Sequence, residues 1–307
     1  MCGLFGFSRY GGTIINLSEI TNSLAEQSAV RGTDATGIAF NGSGGIRIFK
    51  DGKPAYKMDF KHPDEIRALI GHTRHSTGAP SRAGFNYNNH PFGGSCINSK
   101  FALAHNGIIH NDKTLKKSLS LPKSKIETDS FVSVQILEKY GELNLEKICD
   151  MAETVEGSFS FSILDDKNNI YLVKGDSPLS ILHFPGQKLY LYASTDEILY
   201  RSIIDTPLFE DLKKGEFEVV DIKEGDVLKI FPDGTIKKGS FEFKQYYGRN
   251  WWSYGMYPYG SLTATTDSYI DDLKTVASYQ GFPPETVDEL VGCGFTLEEI
   301  EEYIYEY

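Results

Sequence analysis

The chain opens with Met1-Cys2-Gly3-Leu4-Phe5-Gly6-Phe7, a stretch that places a thiol one residue from its start. If Met1 is removed, Cys2 carries both a thiol and a free α-amine. The unperturbed pKa of an α-amine is about 7.7–8.0 and that of a thiol about 8.5, so the amine can accept the thiol proton near neutral pH. The stretch therefore predicts a nucleophile that carries its own base. A core strand that begins with a buried cysteine would account for the same residues.

Length and composition are those of a folded globular protein. The chain has 307 residues, which predicts one domain of about 200–250 residues with an appendage. Apolar residues make up 40% and charged residues 24%, enough to form a core. The net charge of −11 argues against a nucleic-acid ligand, because nucleic-acid binding depends on Lys and Arg. A small metabolite or a protein partner is favoured.

Cysteine spacing and hydropathy predict a cytoplasmic protein. The sequence has no run of eighteen apolar residues and no signal-peptide pattern at its start, so we expect no membrane association. Its four cysteines form no C-x-x-C pair, which indicates neither a zinc site nor a disulfide framework. We therefore expect no metal and no cofactor. The four cysteines are Cys2, Cys96, Cys149 and Cys293.

Residues 31–37, Arg-Gly-Thr-Asp-Ala-Thr-Gly, follow a predicted helix. Asn16 with Glu19 three residues later is a capping-box pattern, and apolar residues then recur at helical spacing to about Val30. The two glycines of the motif permit unusual backbone angles. Taken alone, the motif predicts a structured loop.

Residues 71–78, Gly-His-Thr-Arg-His-Ser-Thr-Gly, follow an apolar stretch that predicts a buried strand. An arginine just beyond such a strand is costly to bury unless it meets an anion, and its planar guanidinium matches a carboxylate. Arg74 is therefore a candidate to bind an anionic ligand. A structural salt bridge is the alternative.

Residues 101–104, Phe-Ala-Leu-Ala, predict a short strand that stops at His105. The side-chain N–H of Asn106 and the backbone N–H of Gly107 follow directly, and two such donors can form an oxyanion hole. An ordinary Asn-Gly turn is the alternative interpretation.

Residues 127–130, Glu-Thr-Asp-Ser, precede apolar residues at helical spacing. Thr128 or Asp129 could cap this helix. Equally, Asp129 could pair with the ammonium group of a ligand.

Beyond residue 157 the sequence predicts mainly strands, whereas the part before it predicts both helices and strands. Residues 157–231 contain six strand-like segments and a short predicted helix at 195–204, an order that suits two layers of antiparallel sheet with helices outside.

The C-terminal part differs in composition from the rest. Seven aromatic residues crowd positions 246–259, where they could dock a linker onto the core or form a binding surface. Residues 283–307 predict a pair of short helices with eight acidic residues, either a partner-binding appendage or a hairpin that packs on its own chain. We expect a main folded domain at 2–239, an aromatic linker at 240–266 and an acidic helical tail at 267–307.

Six motifs together resemble one family. Cys2-Gly3, RGTDATG, GHTRHSTG, NNHPF, AHNG and ETDS occur in the order and approximate spacing of class II glutamine amidotransferases, over about residues 2–200. The resemblance implies the N-terminal-nucleophile hydrolase fold, an α+β four-layer αββα sandwich. Here it would be followed by the aromatic linker and the helical tail.

The resemblance also assigns roles within the site. It implies that Cys2 is the nucleophile with its α-amine as base, and that Asn106 and Gly107 form the oxyanion hole. Arg74 would hold the α-carboxylate of L-glutamine, and Asp129 would hold its α-ammonium. Free glutamine presents one carboxylate, one ammonium and one amide carbonyl, so these residue types match its groups independently.

The resemblance also assigns six residues around the substrate, which are named below. At two places the sequence departs from many relatives. Position 75 is His where a larger aromatic is common, and residues 93–100 form a Gly/Ser-rich stretch. These departures bear on lid behaviour and affinity. By resemblance, the lid residues are His75, Ser76 and Thr77, and the supporting residues are Arg31, Gly32 and His90.

These assignments predict a glutaminase that forms glutamate and ammonia through a thioester on Cys2. Only about 70 residues follow the last predicted strand, so a partner protein is expected to supply the ammonia-accepting synthase site. One alternative is an N-terminal cysteine amidohydrolase that acts on another amide or a γ-glutamyl small molecule. A second is a non-catalytic protein that senses glutamine or serves as a scaffold.

Overall fold

The fold is described from a computed structural model of the chain. The aromatic stretch at 246–259 lies outside the part that the structure describes. The described residues are 2–11, 16–76, 79–81, 83–244 and 282–292, together with 270, 273, 274, 277 and 300.

Two antiparallel sheets form the centre of the molecule. The strands are β1 (Gly3–Arg9), β2 (Ala35–Gly42), β3 (Gly45–Asp51), β4 (Ala68–Arg74), β5 (Phe92–Ser95), β6 (Lys100–Ile109), β7 (Gly157–Asp165), β8 (Ile170–Lys174), β9 (Ser180–Phe184), β10 (Leu189–Ala193), β11 (Glu218–Val219), β12 (Asp226–Ile230) and β13 (Ile236–Ser240). The first sheet has the order β11-β9-β10-β1-β4-β2-β3, and the second has the order β13-β12-β8-β7-β6-β5.

Four of the helices pack on the outer faces of the sheets. In the described residues the helices are α1 (Leu17–Ser28), α2 (Asp112–Ser118), α3 (Phe131–Tyr140), α4 (Leu145–Thr154), α5 (Asp196–Ile203), α6 (Leu208–Lys214) and α7 (Glu285–Gly292). Helices α1 and α5 pack on the first sheet, and α3 and α4 pack on the second. The predicted αββα sandwich is therefore confirmed.

The side chains of β1 alternate between the two cores of this sandwich. Phe5 and Phe7 point outward into the core under α1, while Leu4 points into the layer between the two sheets. Successive side chains of a strand face opposite ways, so one strand contributes to both cores. Because β1 pairs with β4 and β10 in the middle of its sheet, Cys2 is held at the buried end of this strand.

Several local predictions are confirmed. The side chain of Asn16 accepts a hydrogen bond from the backbone of Glu19 at 3.2 Å and caps α1. The predicted helices after residue 130 and around 195–204 are α3 and α5. Strand β5 was not predicted, because its Gly-Gly sequence is typical of a turn.

The chain divides into two compact units, Met1–Tyr247 and Gly248–Tyr307. In the first unit Phe241 is buried and stacks on Phe159, with ring centroids 5.9 Å apart. In the second unit α7 confirms the first predicted tail helix, and Val287 packs in a small apolar cluster. No helix in the described ranges combines the length and the apolar character needed to cross a membrane.

Candidate active site

A cavity of about 390 Å³ lies where β1, β4 and β6 meet the segment before α3. Gly32 and Ser76 contact the residues of its wall without lining it, and Thr77 lies outside the described residues. The structure thus brings most of the predicted site together from distant parts of the chain. The predicted residues that line the cavity are Cys2, Arg31, Arg74, His75, His90, Asn106, Gly107 and Asp129.

The thiol of Cys2 is held by backbone groups. Its Sγ atom lies 3.5 Å from both the backbone nitrogen and the backbone oxygen of His75, and Arg31 Nε donates to the Cys2 carbonyl at 2.8 Å. Burial raises the pKa of the Cys2 thiol, and the His75 backbone hydrogen bond and the charge of Arg74 oppose this. A raised pKa favours the protonated thiol, so nucleophilic attack by Cys2 calls for a base.

The RGTDATG motif holds the end of β4 beside Cys2. A side chain at Gly32 would place Cβ 2.4 Å from the carbonyl carbon of Arg74, so only glycine allows the two backbones to approach this closely. Asp34 donates its backbone N–H to the Arg74 carbonyl at 2.9 Å, and its carboxylate accepts from the backbone of Ser76 at 2.6 Å. The motif thus fixes where the loop after β4 begins.

Arg74 is a buried cation with neutral partners. Its Nη1 donates to Asn89 Oδ1 at 2.7 Å, and its Nη2 donates to the Ala79 carbonyl at 2.6 Å. It forms no ion pair with any carboxylate in the described chain, so the structural salt bridge is wrong as an interpretation. Burial lowers the pKa of Arg74, and Cys2, Asp34 and Asp129 oppose the shift. An unpaired buried cation is suited to an anionic ligand.

The two asparagines of the NNHPF motif connect the loops around this cation. Asn89 Nδ2 donates to the Ser81 carbonyl at 2.7 Å, while Asn88 Oδ1 accepts from the backbone of Glu127 at 2.9 Å and Asn88 Nδ2 donates to its carboxylate at 3.1 Å. In a sequence, two adjacent asparagines are typical of a turn. Their burial was the missing signal, because Asn that is fully buried needs partners for its amide.

The prediction that a strand stops at His105 is wrong, because β6 continues to Ile109. Gly107 has a φ of +132°, and it remains paired opposite Phe159 of β7. Glycine accepts this backbone angle without a steric penalty, so the strand changes its local direction and continues. Asn106 is buried beside it, and no hydrogen-bond partner of its Nδ2 is found in the described residues.

Asp129 is fixed in the opposite wall of the cavity. Its Oδ2 accepts from the backbone of Ile109 at 2.6 Å, and its Oδ1 accepts from the Ser130 hydroxyl at 3.4 Å. Ser130 occupies the N-cap position of α3, so capping by Thr128 or Asp129 is wrong as an interpretation. The carboxylate instead contributes a negative charge to the cavity that also contains Arg74.

A metal centre has no support in the described ranges, where no group of three His, Cys, Asp or Glu side chains is placed to hold an ion. The side chains lining the cavity instead offer a thiol, a cation, an anion and hydrogen-bond donors. These groups suit an amino-acid amide.

Comparison with known proteins points to one family. Residues 86–201 match the family described as "Glutamine amidotransferase domain". The glutamine–fructose-6-phosphate aminotransferase of Staphylococcus aureus is 31% identical over 250 residues, which are 77% of this chain and 38% of that protein. The corresponding enzyme of Staphylococcus epidermidis is 34% identical over 192 residues, 59% of this chain and 30% of that protein. The chain thus spans less than two fifths of the length of these relatives.

The fold is similar to that of two solved amidotransferase and purine-biosynthesis structures. The glutamine phosphoribosylpyrophosphate amidotransferase of B. subtilis aligns with a TM-score of 0.61 at 21% identity, over 80% of this chain and 50% of that one. A second solved structure, an allosteric regulatory enzyme of purine biosynthesis, aligns with a TM-score of 0.62 at 20% identity over the same shares. Sequence relatives, sandwich and motifs agree that the chain contains a class II glutamine amidotransferase domain with the N-terminal-nucleophile hydrolase fold.

Proposed function

We propose that this domain hydrolyses the side-chain amide of L-glutamine to glutamate and ammonia through a thioester on Cys2. The observation that carries the proposal is that one cavity contains Cys2, Arg74, Asp129 and the unpartnered Nδ2 of Asn106. The α-carboxylate of glutamine would pair with Arg74 and its α-ammonium with Asp129. The amide carbonyl would then lie against the Asn106 and Gly107 donors.

The chemistry follows from the protonated state of the thiol. Once Met1 is removed, the α-amine of Cys2 takes the thiol proton as sulfur attacks the amide carbon. Asn106 and Gly107 stabilise the oxyanion, and the proton passes to the leaving nitrogen as ammonia departs. Water then hydrolyses the thioester and releases glutamate.

The remaining predicted residues would position these groups. Arg31 holds the Cys2 carbonyl, and Gly32 allows the close packing that sets Arg74 beside it. His75 and Ser76 begin the loop that would close over glutamine, with Thr77 following them in sequence. The contact of His75 with Cys2 Sγ supports this, because movement of the loop would alter the surroundings of the thiol.

Replacing either of the two charged residues that would bind glutamine tests whether glutamine is the substrate. Arg74→Ala or Asp129→Asn should raise the KM for glutamine by about 10–100-fold, since a hydrogen bond to a charged group contributes about 1.5–3 kcal/mol. Steady-state glutamate production measures this, and Arg201→Ala, which removes an exposed ion pair on α5, should leave KM unchanged.

The same variants separate the alternative functions. Unchanged turnover of glutamine by both variants, together with hydrolysis of an amide whose α-groups are blocked, would support a different amide substrate. Calorimetric binding of glutamine without glutamate release, in protein with a mature Cys2, would support a glutamine sensor.

We also propose that the ammonia passes to an acceptor site on a partner protein, which docks on residues 245–307. The acidic character of this segment and its aromatic residues support the proposal. The chain should be truncated after Lys244 rather than at Gly239, because Phe241 and Phe243 pack in the core of the second sheet.

The truncated protein should retain glutaminase activity but no longer deliver its ammonia to the acceptor site of the partner. Copurified with its partner and supplied with the acceptor, the full chain should release less free ammonia than glutamate, whereas the truncated chain should release equal amounts. Equal coupling by both proteins would place the docking surface elsewhere in the molecule.

A cytoplasmic location is part of the same proposal. Cys2, Cys96 and Cys149 are free thiols, which suits a reducing compartment.

A further inference from the structure

The floor of the cavity contains buried polar atoms that the proposed chemistry does not use. His90, His105 and Thr128 line the cavity and are 4%, 1% and 6% exposed. Both ring nitrogens of His90, Nε2 of His105 and Oγ1 of Thr128 have no hydrogen-bond partner in the described chain. Native proteins rarely leave buried polar atoms unpaired, and ordered water commonly satisfies them.

The spacing of these side chains suits a bridging water. The ring centroids of His90 and His105 are 6.4 Å apart, too far for a direct bond between facing nitrogens and suited to two bonds of about 2.8 Å through one water. His105 is fixed in place, since its Nδ1 lies 2.8 Å from Ser130 Oγ and its ring stacks on Phe161.

The proposed thioester on Cys2 and these polar atoms share one cavity. Leu4 pairs with His72 across β1 and β4, so Cys2 and Arg74 lie one same-face position farther along, about 7 Å away. The rings of His72 and His90 are in contact, with centroids 4.2 Å apart and planes tilted by 31°. Because Cys2 and His90 line the same cavity, a water held by His90 would have access to the reacting carbon.

The chemical state of His90 suits orientation of water rather than proton transfer. Burial lowers its pKa well below the usual range, and the neighbouring histidines, Arg74 and Lys50 lower it further. A neutral imidazole donates one hydrogen bond and accepts one. The α-amine of Cys2 remains the base.

We infer that this polar floor positions the water that hydrolyses the Cys2 thioester, with His90 as the positioning residue and Thr128 and His105 as its partners. The inference rests on the proposed function. The water oxygen bonds to the thioester carbonyl carbon, and one water proton passes through the α-amine to sulfur as the C–S bond breaks. The other proton remains on the new carboxyl group, which ionises as glutamate leaves.

His90→Phe in the full chain tests this step, because phenylalanine keeps the ring shape and removes both nitrogens. The variant should release a burst of about one ammonia per mature Cys2 and then turn over about 10–100-fold more slowly, the size of effect expected for a misplaced reactant. Mass spectrometry should show a glutamyl group on Cys2. Hydroxylamine, which attacks thioesters without a positioned water, should restore turnover.

Three further variants test the same step in case His90→Phe folds poorly. Thr128→Val should show the same burst and hydroxylamine rescue, whereas Ser133→Ala, which removes an equally buried unpartnered hydroxyl outside the cavity, should not. His90→Gln restores a donor and an acceptor, and should recover part of the hydrolysis rate.

Two outcomes would overturn the inference. Both can be distinguished from a result that contradicts the proposed function. Wild-type rates without an acyl-enzyme in His90→Phe and Thr128→Val would show that the floor is irrelevant to hydrolysis. Slow turnover without a burst, unaffected by hydroxylamine, would place the defect in acylation. If the wild-type protein with a mature Cys2 forms no glutamate, the proposed function itself is wrong.

Discussion

Cys2→Ala should abolish glutamate formation, with kcat falling by about 10⁴-fold or more, as when the nucleophile of a covalent enzyme is removed. Sulfur is the only atom of residue 2 that can form the acyl-enzyme, and the two backbone contacts with His75 hold it in the cavity. Glutamate released per mature N-terminus measures the effect. Glutamine should still bind, because Arg74 and Asp129 are unchanged.

Two cysteine controls accompany this variant. Burial raises the pKa of Cys96 and of Cys149 to about 11, and neither thiol lines the cavity. Replacing either by serine should leave kcat unchanged. Protein that retains Met1, identified by intact mass, should be as inactive as Cys2→Ala, since it lacks the free amine. Glutamate formation at the wild-type rate by Cys2→Ala would exclude the thioester mechanism.

Gly107→Ala should lower both stability and activity. The backbone φ of +132° is unfavourable for alanine, and the new Cβ would lie 2.0 Å from the carbonyl oxygen of Ser158. Strain and overpacking together should lower the free energy of unfolding by about 2–4 kcal/mol. Because Asn106 precedes this glycine in β6, its side chain should also move, and kcat should fall. Denaturant titration and steady-state kinetics measure the two effects.

Gly44→Ala is the matched control. Gly44 lies in the turn between β2 and β3, and a Cβ added there would meet nothing within 4 Å among the described residues beyond its own chain neighbours. Its replacement should change neither the unfolding midpoint nor kcat. If Gly107→Ala behaves like Gly44→Ala, then β6 does not need glycine at this position.

The order of strand-like and helix-like segments predicted two sheet layers with helices outside, and the family resemblance implied the four-layer sandwich and most of the residues that line the cavity. Alternation along β1 requires two apolar faces, which only a strand buried between two layers can satisfy. Arg74 was predicted to bind an anion because a buried charge needs a ligand or a partner, whereas the role of Asp129 was implied by the family resemblance. Asn88 and Asn89 were not chosen, because turn formation explains Asn in a sequence just as well as burial does.

The sequence by itself determined the family, and it predicted the candidate nucleophile and the charges offered to a ligand, since these depend on residue types in a fixed order. Only the tertiary structure decided how Arg74 is satisfied by Asn89, how β6 continues through Gly107, and which polar atoms of His90 and Thr128 are left unpaired in the described chain. The physical reason is that hydrogen-bond satisfaction depends on neighbours that folding brings from distant parts of the chain. Residue type alone does not specify those neighbours.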